Sequence, residues 1–103
     1  MASTTAVAER VTSGLALVES DVRGLPNLAD EWEQLGESAR VSLSLEWAHS
    51  MADYLTELDE QYHADRMTPG QQERYQALLR DLRTALPTIN RLNLYGPPIC
   101  LEP

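Results

Sequence analysis

The chain has no lysine, no phenylalanine and a single cysteine in 103 residues. One thiol, Cys100, excludes an internal disulfide and suits a reducing compartment. The joint loss of Lys and Phe, beside plentiful Ala, Arg and Leu, reads as codon bias rather than as selection against lysine. The five glycines are isolated, so neither common phosphate-cradling loop is present. No apolar run reaches the length of a membrane span. The opening MASTTAVAER has no basic n-region and no continuous apolar core, so no secretory leader is expected and the expected compartment is the cytoplasm.

Positive charge is also scarce. All eight basic residues are Arg, against sixteen acids, for a net charge of −8. Residues 1–65 hold thirteen acids and three Arg, and the remainder is slightly basic. That balance disfavours nucleic acid and anionic membranes as partners, since both demand a positive footprint. It favours a protein with a basic surface as partner or, at the extreme, mimicry of nucleic acid by an inhibitor.

What is present is helical periodicity. Val7, Val11, Leu15, Val18 and Val22 form an apolar stripe over about residues 5–23. Ser3, Thr4 or Thr5 is a candidate cap, and Gly24 with Pro26 marks the expected end. Asn27 is the candidate cap of a second helix with Leu28, Trp32 and Leu35 on its buried edge, broken near Gly36. Residues 40–47 alternate apolar and polar like a strand, but no adequate strand partner exists. Beyond them Leu43, Trp47, Met51, Tyr54, Leu58 and Tyr62 share one face, so helix is expected from about Ala39 to Ala64. Thr68, Pro69 and Gln71 spell a capping box. The helix that follows carries Tyr75, Leu78, Leu79, Leu82, Leu86 and Ile89 inward, with Pro87 as a kink or restart. Its Arg74, Arg80, Arg83 and Arg91 are expected to pair with acids of the preceding helix. LYGPPICLEP is forced extended by Gly96, Pro97 and Pro98.

The predicted fold class is therefore all-α. It is an antiparallel bundle of three helices, or four if the break near Gly36 divides the second, with an extended, proline-containing C-terminal tail. The domain spans 1–93 and the apolar tail 94–103. An unbroken helix over 28–64 would run about 55 Å, so the segment either folds back or buries itself in another chain.

Chemistry is thinly represented. Cys100 has no nearby base, and no nucleophile-elbow motif supports a serine triad, so an enzyme is not expected. The exception is EWAHSMADYLTELDEQYH, which holds both histidines in two Glu-x-x-His pairs, Glu46 with His49 and Glu60 with His63. Carboxylate-bridged di-iron bundles use that spacing. The pairs lie about 21 Å apart along a helix, so one chain cannot close both around one metal. Two copies crossed in opposite directions would bring Glu46 to His63 and His49 to Glu60, with Asp53 between, as a site for iron or zinc in a homodimer. Against this stands a plainly solvated acidic face.

The expected function is that of an accessory subunit, adaptor or inhibitor that acts by binding another protein. Glu46, Asp53, Glu57 and Glu60 would steer a basic partner. Tyr95, Ile99 and Leu101 of the tail would add an apolar docking peptide, unless the tail packs back on its own bundle.

Overall fold

The computed structural model describes the backbone of residues 2–101 and the side chains of residues 6–101. The candidate caps Ser3, Thr4 and Thr5 lie outside the residues whose side chains are described. The described chain is all-helical, with three main helices and no strand among these residues. Helix α1 covers Ala2–Glu31, and a short 3-10 turn follows at Trp32–Gln34. The next helix is composite: α2 at Glu37–His49, a π segment at Ser50–Leu55 and α3 at Thr56–His63. Helix α4 spans Pro69–Arg91.

The first helix corrects the expected boundary. It does not stop at Gly24; it runs through Pro26 to Glu31, and Asn27 caps nothing because it lies inside the helix. The physical reason is burial on both sides of the proline. Leu25 is in the core, and Leu28 and Ala29 pack against it, so tertiary contact overrides local propensity. Pro26 itself faces solvent, where the carbonyl freed by its missing amide can turn to water. The break near Gly36 is real, but it separates α1 from α2 rather than dividing a second helix. Across the break, the Arg40 Nε donates to the Trp32 carbonyl at 2.8 Å, and the guanidinium carbon stands 5.8 Å from the centre of the Trp32 ring.

Residues 40–47 are helical, and the helix then widens. The buried line runs Leu43, Trp47, Met51, Leu55, Leu58 and Tyr62, with Leu43 and Tyr62 partly exposed. From Leu43 to Tyr62 it takes five turns at about 3.8 residues per turn, against 3.6 in an α-helix. A straight α-helix would carry the stripe steadily off the core. The π segment, whose wider turns absorb one extra residue, holds it in line. Deleting Asp53 should therefore be tolerated. The segment would close to ordinary α-helix with both flanks in phase, and the unfolding free energy should change by less than about 1 kcal/mol. Circular dichroism during urea titration would read it, and collapse of the fold would refute this origin of the π turn.

Contacts fix how the helices lie. Arg10 meets Glu57 at 3.2 Å, and the Ser50 hydroxyl donates to Asp21, so positions fall along the composite helix as they rise along α1. Gln71 reaches the Ala8 carbonyl and the Thr12 hydroxyl, both at 3.1 Å, and Arg74 reaches Glu19 at 2.6 Å, so α4 rises with α1. The Glu19 bond corrects the expected partner of Arg74, which is an acid of α1 and not of the preceding helix. That hydrogen bond raises the affinity of the guanidinium for its proton further. Gly14 lets α1 approach α3 closely, since a Cβ there would sit 3.3 Å from Leu58.

The ends of α3 and α4 are formed alike. Asp65 and Asn93 adopt left-handed backbone, and Arg66 and Leu94 donate back to the carbonyls of Gln61 and Ile89 at 3.0 Å. This six-to-one closure satisfies carbonyls that a helix end leaves open. The capping box at Thr68 forms in full, with Thr68 N to Gln71 Oε1 at 2.9 Å and Gln71 N to Thr68 Oγ1 at 3.2 Å. Helix α4 continues through Pro87 to Arg91.

Candidate interaction surface

The molecule is longer than its mass requires. Its radius of gyration is 14.5 Å and its extents are 49 × 25 × 19 Å, where a chain of this length would give about 13 Å. Helix α1, 30 residues and so about 45 Å long, sets the long axis. Helix α1 packs on the π segment, α3 and α4, but meets α2 only slightly. Trp47, at 4 % exposure, is the one buried residue of α2 among the described residues.

A groove of about 340 Å³ therefore opens between the second half of α1 and α2. Leu28, Leu35, Leu43 and Trp47 supply its apolar lining, and Asp21, Glu31 and Glu46 its charge. Gly24 lies on its α1 side and adds no side chain. The tail is tied to the same tryptophan, whose Nε1 donates to the Tyr95 carbonyl at 2.8 Å. Leu94 is buried, and Ile99 and Leu101 are partly buried against the core, while Tyr95 stays 47 % exposed.

The expected site residues are thus dispersed. Glu46 lies on the groove, and Tyr95 is joined to it through Trp47. Asp53 pairs with His49 at 2.8 Å on the exposed surface, and Glu57 pairs with Arg10. Glu60 is exposed farther along. His63 sits 3.3 Å from Asp59, which also accepts the Tyr75 hydroxyl at 2.8 Å. Among the described residues no three of His, Cys, Asp and Glu gather as a metal-binding group, so within one chain the two Glu-x-x-His pairs remain separate. Cys100 is exposed.

Sequence reasoning placed Glu46 but missed Asp21, Glu31, Leu35 and Leu43 as walls of one groove. The signal was the alternation over 40–47, which puts apolar residues on two sides of a helix. No family model, no curated protein and no solved structure matches the chain. No described helix is long and apolar enough to cross a membrane.

Proposed function

We propose that the chain is an antiparallel helical bundle that serves as a protein–protein interaction module, holding an amphipathic, basic helix of another protein in the groove between α1 and α2. The observation that supports this most is the groove itself, an apolar floor left open because α2 barely touches α1, with carboxylates at its edge. A helix laid there anchors one or two large apolar side chains on Leu28, Leu35 and Leu43, the mode by which grooves take amphipathic helices. Glu31 and Glu46 select Lys or Arg on its flanks and speed its encounter. The tail residues Ile99 and Leu101 then serve the chain's own core, leaving Tyr95 as the tail's contribution near the rim.

The test is a titration of the protein with a helical peptide carrying a Leu stripe flanked by Lys, and with its Glu-flanked counterpart, followed by tryptophan fluorescence and calorimetry. The basic peptide should bind and the acidic one should not. Reversing Glu31 and Glu46 to Lys should weaken binding by about tenfold and remove its salt dependence. Leu43→Asp should abolish it. Equal binding of both peptides, or indifference to Leu43→Asp, would sink the reading.

A further inference from the structure

We propose, resting on the groove as the binding surface, that Gly24 selects the partner's anchor: it opens the middle of the α1 wall to one large side chain of the partner helix, a tryptophan. Asp21, Gly24, Leu28 and Glu31 line the groove from α1. Their steps of three, four and three residues make one line along a continuous α-helix. Gly24 is thus the gap in that line, with Asp21 a turn before it and Leu28 a turn after. Leu43, Glu46 and Trp47 line the groove from α2.

The fold gives Gly24 no other task. Inside a helix, glycine is less favourable than any residue but proline, and two physical needs excuse it. Positive φ is one, and no glycine of the described chain has it. Close approach is the other. It holds at Gly14, where a Cβ would stand 3.3 Å from Leu58, but a Cβ at Gly24 would meet nothing within 4 Å. Gly36 precedes α2, Gly70 is in the first turn of α4 and Gly96 lies in the tail, so none of them interrupts a helix interior. The close neighbour that would justify Gly24 therefore comes from outside the chain, on the side where the groove opens.

Chemistry selects the side chain. The groove has an apolar floor and the carboxylates of Asp21, Glu31 and Glu46, and among the described residues no basic one lines it. The Trp47 N–H is committed to the Tyr95 carbonyl. Asp21 accepts the Ser50 hydroxyl through one oxygen and keeps the lone pairs of the other for a further donor. An indole is a large apolar plate with one N–H donor and no acceptor. It can lie against the bare backbone of Gly24 and turn its N–H to a carboxylate. Phenylalanine brings no donor, and leucine fills less of the space. Tryptophan is also among the residues that most often dominate binding when seated in a central pocket.

Two helical peptides test it, alike in their Leu stripe and flanking Lys and differing only at the central anchor, Leu in one and Trp in the other. Calorimetry on the wild-type chain should give about tenfold tighter binding of the Trp peptide. Gly24→Leu should erase that preference, because its own side chain fills the gap. Gly24→Ala and Gly24→Leu should both melt higher than wild type, by about 5 °C, since each removes a helix-interior glycine without meeting a neighbour. A wild-type chain that binds neither peptide overturns the groove reading and this inference together. Equal binding of the two peptides, or a Trp preference that survives Gly24→Leu, overturns the inference alone and leaves the groove standing. A lower melting temperature of Gly24→Ala overturns it too, by showing that the fold itself needs the glycine.

Discussion

Leu55→Ala should destabilise the chain by about 3 kcal/mol, within the range for truncating a buried leucine, and lower the thermal midpoint by roughly 10–20 °C. Leu55 closes the π segment and is fully buried in the common core with residues of α1 and α4. The π segment is also the part of the composite helix most closely applied to α1. Both the lost transfer energy and the cavity left behind therefore fall at the centre of the molecule. The neighbouring backbone cannot relax into the hole without giving up the phase that keeps Trp47 and Leu58 inward. Leu45→Ala, three turns away and exposed, should change monomer stability by less than about 0.5 kcal/mol. Paired denaturant titrations at matched low concentration would compare them. A Leu55→Ala loss below about 1 kcal/mol would mean that the π segment is loosely packed and does not carry the core.

Leu55 also shows where the sequence stopped being legible. A fixed step of 100° per residue puts Tyr54 on the buried stripe and passes over Leu55. In the structure Leu55 is fully buried and Tyr54 only partly, because the helix widens there. That the stripe needed about 3.8 residues per turn was readable, but only by asking what an α-helix could not do. Leu25 was lost for a different reason. Its neighbour Pro26 argues locally for an end, and the burial that overrules it depends on helices more than forty residues away. By contrast the stripe from Val11 to Val22 and the Thr68–Gln71 box rest on contacts within a few residues, and they appear as read. The candidate surface was the least legible part. Residues 40–47 suggested a strand because apolar side chains alternate. On a helix the same alternation sends Leu43 and Trp47 to one side and Val41 and Leu45 to the other. Acids, too, were assigned to one solvated face of one helix, whereas Asp21 and Glu31 of α1 join Glu46 only through the fold.

Stability should fall as pH rises above about 10, by up to 1.4 kcal/mol per pH unit from a single tyrosine, and Tyr75→Phe should remove that dependence. Tyr75 is fully buried in α4. Burial raises its pKa strongly, and its hydrogen bond to Asp59 raises it further, because a phenolate there would face a carboxylate in place of donating to it. The folded chain thus holds this proton to higher pH than the unfolded chain, whose tyrosine ionises near its ordinary value. Below that value the proton is bound in both states and the contribution is complete. Above it the unfolded state gains by ionising, so unfolding becomes easier until the folded state also loses the proton. By pH 12 the accumulated loss amounts to a few kcal/mol. Tyr75→Phe should itself cost about 1–2 kcal/mol at neutral pH, because Asp59 loses a donor and keeps only His63 and solvent. Wild type and variant should therefore differ in opposite senses at the two ends of a pH series of urea titrations. The variant is the weaker at pH 7, and it is the less sensitive to alkali. Parallel pH profiles would show that the Tyr75–Asp59 bond is not what closes α3 on α4, and would move that role to the contact of the Tyr62 and Tyr75 rings, which are tilted by 44° with centres 4.9 Å apart.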